Sequence, residues 1–291
     1  MDYCELLDAP KASGADITLA AQPVDADTAT QMGILLFSKE GQIVAFEEKP
    51  KKQRLAEIGR SIPPGATFAT HTDAQPFMAS MGIYVFTRRV LLEMLEREEG
   101  VDFGRELIPR ALNKHKVKPY LFRGYWADVG TVESFYDANV MLGRAAAPFR
   151  FWDPQRPIYT HLRHLPGSRL TDCQVRDSVV AEGCFLDRCH IAESVIGLRT
   201  HVQSGSRITR SVLLGADLYD DCVVKNGRPP MGIGRDVVLD RVIVDKNASI
   251  GDGSMLVNQN KVQHADGDGY YIRGGIIVVP KNAVIRPETI V

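Results

Sequence analysis

The sequence lacks long apolar runs and a secretory leader. Nowhere do about 18 apolar residues follow one another, as a membrane-spanning helix requires, and no basic stretch precedes an apolar one at the start of the chain. These absences argue against membrane insertion and secretion, and they predict a cytoplasmic location. The formal charge of −1 at pH 7 offers no overall attraction to nucleic acid or to an anionic membrane. We therefore expect local cations to hold any anionic ligand.

Cysteine is scarce and shows no metal-binding spacing. The five cysteines are odd in number and contain no C-x-x-C pair, which argues against a disulfide framework and against a zinc site. We expect free and mostly buried thiols. The cysteines are Cys4, Cys173, Cys184, Cys189 and Cys222.

The chain divides into two halves with different hydrophobic rhythms. Its 291 residues are enough for two domains, and we place the boundary so that the domains are residues 1–150 and 151–291. In the first half, short apolar runs such as Met81–Phe86 are followed by segments of helical spacing such as Val90–Leu95. This alternation predicts an α/β fold.

In the second half, apolar residues recur every five or six positions. This step is too long for one face of a strand and too irregular for a helix, but it fits one side of a triangular coil in a left-handed parallel β-helix built from hexapeptide repeats. A β-sandwich is the alternative, but its turns would come only every 8 to 12 residues or so. Residues 215–230 and 257–271 interrupt the repeat. Before the first interruption its apolar positions are Leu170, Val175, Val180, Leu186, Ile191, Ile196, Val202, Ile208 and Leu213.

Two motifs in the first half carry possible chemistry. Glu48 and Lys49 stand at the end of a predicted strand, where a carboxylate can bind sugar hydroxyls and a lysine can meet a phosphate. The alternative is a solvated strand end. Asp128 follows Trp126 closely and could bind Mg²⁺, which prefers oxygen ligands. The alternative is an aspartate placed for local turn or helix-cap bonding ahead of the helix predicted to begin near Val132.

These motifs occur, together with Ala79–Phe86 and Asp102–Pro109, in the order and approximate spacing of the sugar-phosphate nucleotidylyltransferases. Segments of the second half then favour one branch of that superfamily. The whole chain resembles the cyanobacterial and plant type of glucose-1-phosphate adenylyltransferase, also called ADP-glucose pyrophosphorylase. The segments are Val195–Arg199, Leu214–Asp217, Gly232–Gly234, Ile243–Ala248 and Asp266–Ile272.

The resemblance implies a fold, an activity and partners. The fold is a partial nucleotidyltransferase (Rossmann-like) domain followed by the left-handed β-helix. The family uses Mg²⁺ to join ATP and α-D-glucose 1-phosphate into ADP-glucose and pyrophosphate for glycogen or starch synthesis. It forms homotetramers, and anionic effectors such as 3-phosphoglycerate regulate it allosterically. Neither nucleic acid nor a membrane is an expected partner.

The resemblance also assigns roles to single residues. Asp128 and Lys49 match catalytic positions, and Asp128 is the position that binds the metal. The substrate-binding positions are Gly33, Glu48, Lys49, Ser80 and Trp126. The effector-binding positions are Arg199, Lys246 and Lys281, of which Arg199 is the weaker match.

The sequence departs from the family in one respect. The Gly-rich loop that cradles ATP in the family, and the segment around it, have no counterpart here. The resemblance thus implies that the first third is missing and that the chain is inactive alone. One alternative is a non-catalytic regulatory subunit that binds anionic effectors through the β-helix. Another is a hexapeptide acyltransferase with His190 or His201 as base, which would leave the motifs of the first half unexplained.

Overall fold

The computed structural model describes residues 1–63, 65–66, 74–97, 100, 102–149, 151–155, 157–220 and 228–291. By their contacts the described residues form two compact units, Met1–Trp126 and Ala127–Val291. The domain boundary predicted near residue 150 stays a prediction. The part of the chain that is described contains no helix long and apolar enough to cross a membrane.

The first unit is built on a five-stranded mixed sheet. Strands β1 and β5 are parallel, whereas β1–β4, β4–β2 and β2–β3 are antiparallel pairs, and the strand order is β3-β2-β4-β1-β5. The strands are β1 Ile17–Val24, β2 Gly33–Phe37, β3 Ile43–Glu48, β4 Phe77–Phe86 and β5 Val117–Leu121. The predicted α/β fold is confirmed, and β2 and β3 form a hairpin.

Helices cover the sheet of the first unit. They are α1 Tyr3–Ser13, α2 Ala26–Ala29, α3 Lys52–Ile58, α4 Arg88–Arg97 and α5 Ile108–Ala111, and α5 continues a π-helical turn, Phe103–Leu107. The central strands are apolar on both faces, as a sheet covered on both sides requires. On β2, for example, Leu35 packs in one cluster with Met94 of α4, while its neighbour Ile34 packs in another with Leu55 of α3.

The second unit begins with helix α6, Val132–Met141. A reciprocal capping box between Thr131 and Ser134 fixes its first turn. Its apolar face packs against the β-helix through Tyr136 and Val140, which lie in one cluster with Val212, Ile243 and Ile276. The hydroxyl of Tyr136 also donates to the carbonyl of Arg210 at 2.6 Å. The helix is therefore part of the second unit's core.

The remainder of the second unit is a three-sided coil of short parallel strands. The first face holds β6 Arg169–Thr171, β9 Phe185–Asp187, β12 His201–Val202, β15 Gly232–Ile233, β18 Ser249–Ile250 and β23 Val284–Ile285. The second holds β7 Gln174–Arg176, β10 His190–Ala192, β13 Arg207–Thr209, β16 Val238–Asp240 and β19 Met255–Leu256. The third holds β8 Val179–Val180, β11 Val195–Ile196, β14 Val212–Leu213, β17 Val242–Val244 and β22 Ile276–Val279. The predicted β-helix is confirmed.

The two ends of the coil differ in how their apolar cores are covered. Leu170 of the first coil is 47% exposed, whereas Leu186, which pairs with it on the next coil, is 2% exposed. At the other end, the second interruption forms a hairpin of β20 His264–Gly267 and β21 Tyr270–Arg273. Ile272 of this hairpin is buried in the core. The hairpin therefore helps to cap one end, as terminal elements of repeat proteins do.

The first interruption of the repeat, residues 215–230, is described only in part, because residues 221–227 lie outside the described residues. The cysteine prediction holds for the described cysteines, which are all free. Cys184 and Cys189 are buried, Cys173 is half-buried and Cys4 is exposed. Cys222 lies outside the described residues.

Candidate functional site

The carboxylate of Glu48 lies between two glycines from distant parts of the first unit. A Cβ added at Gly33, on the neighbouring strand, would stand 2.9 Å from Oε2 of Glu48 and would collide with the ring of Phe46. A Cβ added at Gly104, in the π-helical turn, would also stand 2.9 Å from Oε2 of Glu48. A side chain at either position would therefore force the carboxylate to shift from where it lies.

Lys49 continues from Glu48 in a left-handed conformation. Its φ of 50° ends strand β3, and its amide donates to the carbonyl of Met32 at 3.0 Å. The side chain is exposed, whereas Pro50, which follows, is buried. The buried proline anchors the chain directly after the lysine, so the Lys49 side chain is presented at the surface, where its charge acts on the nearby carboxylate of Asp102.

Asp102 brings a second carboxylate to this region. It caps the π-helical turn, because its Oδ1 accepts from the amide of Arg105 at 2.9 Å. This backbone bond is the main cause that lowers the pKa of Asp102, and the positive charge of Lys49 contributes to the same shift. By capping the turn, Asp102 helps to position Gly104 against Glu48.

Strand β4 contributes a pair of hydroxyl groups. Ser80 is buried, and its hydroxyl accepts from the amide of Gly82 at 3.2 Å and lies 3.5 Å from the hydroxyl of Tyr84. The ring of Tyr84 stacks on Phe103 with 6.2 Å between the ring centroids. Burial is the main cause that raises the pKa of Tyr84, and the negative charges of Glu48 and Asp102 raise it further. The tyrosine is therefore a neutral hydroxyl near both carboxylates.

Three residues of this region have no role in the sequence prediction, namely Tyr84, Asp102 and Phe103. They lie inside segments that the sequence analysis identifies. The spacing of Asp102 and Gly104, on either side of Phe103, is a local sequence signal for part of this arrangement. An aspartate two residues before a glycine is typical of a helix N-cap followed by a position where another part of the chain approaches the backbone closely. The partner of that approach, Glu48, is 56 positions away from Gly104, and no local pattern reveals it.

The aromatic residue of the predicted substrate site, Trp126, is half-buried. Its side chain packs against two apolar clusters of the first unit, one containing Ile34 and the other containing Ala20. Its carbonyl accepts from the side-chain amide of Gln22 at 3.3 Å. Ala20 and Val24, one from each cluster, lie on the same face of strand β1, so these contacts hold Trp126 against one face of the central sheet.

Asp128 belongs to the second unit and is exposed. The residue that caps helix α6 is Thr131, so the structure excludes Asp128 as the helix cap, one of the two roles in the alternative interpretation. Its carboxylate lies over Gly130, where an added Cβ would stand 3.0 Å from Oδ2. Among the described residues no hydrogen bond or ion pair engages this carboxylate. Its two oxygens therefore suit a hard cation such as Mg²⁺.

The described residues hold no group of three or more His, Cys, Asp or Glu side chains that could bind a metal by themselves. Mg²⁺ usually takes only one or two protein carboxylates and completes its shell with water and substrate phosphates. A single free carboxylate at Asp128 fits that donor set.

Two of the predicted effector residues lie together on the β-helix. The ammonium of Lys246 lies 3.0 Å from Oδ1 of Asp217, and that of Lys281 lies 2.9 Å from Oδ2 of the same residue. The side-chain amide of Asn247 donates to Oδ2 of Asp217 at 3.1 Å. Hydrogen bonds from Lys281, Lys246 and Asn247, in that order, hold the pKa of Asp217 well below its usual range. We call Asp217, Lys246, Asn247 and Lys281 the lysine cluster.

Arg199 has different neighbours. Its guanidinium donates to the carbonyl of Ala216 at 3.2 Å and lies 5.8 Å from the ring centroid of Tyr219. It lines a pocket of about 400 Å³ in the second unit, together with Phe185 and Tyr219. Asn247 lines the same pocket, so Arg199 stands near the lysine cluster without being one of the cations that bind Asp217.

Comparison with known proteins accounts for both units. Residues 1–144 match the nucleotidyl transferase family model, and residues 163–290 match the model of the GLGC left-handed parallel β-helix domain. The chain is 41% identical, over 306 aligned positions, to the glucose-1-phosphate adenylyltransferase small subunit, chloroplastic/amyloplastic, of Triticum aestivum. That alignment covers all of this chain, which spans about 64% of the length of the relative.

Proposed function

Because the chain belongs to the glucose-1-phosphate adenylyltransferase family, we propose that it serves the synthesis of ADP-glucose and pyrophosphate from ATP and α-D-glucose 1-phosphate. The observation that carries the proposal is the carboxylate of Glu48, held between Gly33 and Gly104, with the exposed Lys49 next in the chain. A sugar phosphate needs an acceptor for its hydroxyl groups and a cation for its phosphate. This pair of residues supplies both.

In this mechanism a phosphate oxygen of glucose 1-phosphate attacks the α-phosphorus of ATP, and the bond to the departing pyrophosphate breaks. The protein accelerates such a step by positioning the reactants and by neutralising charge. Lys49 binds the phosphate of the sugar phosphate and reduces repulsion between the two anions. Glu48 accepts hydrogen bonds from the sugar, and strand β4 adds the paired hydroxyls of Ser80 and Tyr84, of which Tyr84 is close enough for the Glu48 charge to raise its pKa.

Asp128 is the residue that would hold Mg²⁺ in this proposal. When bound, the ion supplies positive charge that offsets the charge on the phosphates of ATP and on the pyrophosphate that leaves. Trp126, two residues earlier, packs its ring against the central sheet. It provides a fixed apolar wall in the proposed sugar site.

The proposal extends to ATP binding, allosteric regulation and assembly. Lys246 and Lys281 present two cations to small phosphate-type anions, with Arg199 as a third contact.

The first coil of the β-helix leaves Leu170 47% exposed, and an exposed core residue at the end of a repeat array favours association with another surface. We propose a homotetramer, which the mass in solution tests.

A second candidate function is that of a regulatory subunit without catalysis of its own. The observation that favours it is the lysine cluster, which needs no residue of the first unit. In that case anionic effectors would bind the β-helix and the chain would change the activity of a partner subunit.

One experiment separates the two functions. ADP-glucose formation from ATP, glucose 1-phosphate and Mg²⁺ is measured for the 291-residue chain alone and for the same chain joined to a Gly-rich ATP-binding segment of the family. Activity in either form that falls sharply in Lys49→Ala supports the catalytic role. Absence of activity in both forms, with phosphate binding that depends on Lys246, supports the regulatory role.

A further inference from the structure

The two lysines of the lysine cluster are brought together by the register of the β-helix. Residues 246 and 281 occupy the same turn on successive coils, where the amide of Asn282 donates to the carbonyl of Lys246 at 3.0 Å. Adjacent parallel strands lie about 4.8 Å apart, so the coil holds two positive charges close together whether or not a ligand is present. Like charges at this spacing repel one another.

Asp217 offsets that repulsion from the preceding coil. Its two carboxylate oxygens are divided between the lysines, Oδ1 to Lys246 at 3.0 Å and Oδ2 to Lys281 at 2.9 Å. Its backbone amide donates to the side-chain oxygen of Asn247 at 2.8 Å, and the amide group of Asn247 returns a bond to Oδ2 at 3.1 Å. Three side chains thus hold one carboxylate in a fixed orientation.

We propose that Asp217 is an internal competitor for the ligand of Lys246 and Lys281, so that a phosphate-type anion binds only when it displaces this carboxylate. This inference rests on the proposed effector site. A phosphoryl group can bridge two ammonium groups with two of its oxygens, as the carboxylate does now, and its higher charge favours the exchange. The competitor lowers the apparent affinity for the anion in proportion to the fraction of molecules in which Asp217 occupies the two lysines.

The exchange is feasible because the cluster is accessible. The side chains of Lys246 and Lys281 are 41% and 50% exposed, and that of Asp217 is 38% exposed. Ion pairs at such exposure are weak, so displacement of the carboxylate by a dianion is not costly. A buried carboxylate in the same position would hold the lysines too firmly for an effector to compete.

The test compares the affinity of the 291-residue chain for inorganic phosphate before and after Asp217→Asn, by titration calorimetry. The substitution keeps the size of the side chain and removes its charge. Because exposed pairs are weak, we expect phosphate to bind about 2-fold to 30-fold more tightly. The matched control is Asp187→Asn, whose side chain is also 38% exposed and lies 2.9 Å from Arg188 elsewhere on the β-helix.

Each outcome decides something. Tighter binding in Asp217→Asn, with Asp187→Asn close to the parent chain, supports the inference. Equal affinity in Asp217→Asn and the parent, or equal gains in both variants, overturns it. If the parent and Asp217→Asn both fail to bind phosphate, or bind it as well after Lys246→Ala, the proposed effector site itself is wrong. Asp217→Ser serves as the second variant should Asp217→Asn not fold.

Discussion

The two units place charged side chains in different ways. In the first unit, Glu48 is fixed by glycines 15 and 56 positions away in sequence, so its position depends on the packing of the whole sheet. In the second, Lys246 and Lys281 meet because successive coils repeat the same turn. A site of the first kind is sensitive to shape, whereas a site of the second kind is sensitive mainly to charge and register.

The largest effect that the comparison predicts concerns the core of the β-helix. Leu186→Ala removes a side chain that is 2% exposed, whereas Leu170→Ala removes the same side chain from the open first coil, where it is 47% exposed. We expect the first change to lower the free energy of unfolding by about 2–5 kcal/mol and the second, in protein dilute enough to be monomeric, by less than half as much. Urea denaturation followed by circular dichroism measures both.

Equal losses in these two variants would mean that the first coil is covered in solution, and the contrast between open and capped ends would be wrong. A dependence of the Leu170→Ala result on protein concentration would identify a second copy as the cover.

The next effect concerns the glycine beside Glu48. Gly33→Ala brings a methyl group against Phe46 and Oε2 of Glu48, and overpacking of this kind costs about 1–3 kcal/mol of stability. We also expect the affinity for glucose 1-phosphate to fall, because the carboxylate must move. Gly167→Ala is the control, since a Cβ there meets nothing within 4 Å. Normal sugar-phosphate affinity in Gly33→Ala would show that the close approach is unimportant for binding.

The smallest effect concerns pH and the lysine cluster. Because its hydrogen bonds lower the pKa of Asp217, the carboxylate stays charged as pH falls, and its ion pairs are lost only below the ordinary titration range of aspartate. Sulfate also keeps its charge over this range. We therefore expect the ratio of sulfate dissociation constants between Asp217→Asn and the parent chain to stay constant from about pH 8 to about pH 5. A ratio that approaches one by pH 5 would contradict the lowered pKa.

Much of the fold could be predicted from sequence because its signals are local. The apolar step of five or six residues in the second half is imposed by the coil itself, and the apolar run at Met81–Phe86 lies within strand β4. Glu48 and Lys49 are identifiable from sequence because they stand at the end of a strand within a recognisable motif.

The remainder of the candidate site was not predictable, because it depends on contacts between distant residues. Nothing near Gly104 in the sequence shows that it lies against Glu48, and nothing near Asp217 shows that two lysines 29 and 64 positions later bind it. The resemblance to the family supplied Lys246 and Lys281, but it did not supply their counter-ion. Register across coils determines that pairing.

The most direct test of the account is the affinity of the chain for α-D-glucose 1-phosphate in Glu48→Gln and Glu47→Gln, by titration calorimetry. Glu47 is the adjacent carboxylate and is bound by Arg54, so it serves as the matched control. We predict that Glu48→Gln weakens binding about 10-fold or more, since a charged acceptor bond is worth roughly 1.5–3 kcal/mol, while Glu47→Gln changes it less than about 2-fold. Equal affinities in the two variants would contradict the assignment of the sugar-phosphate site to Glu48 and Lys49.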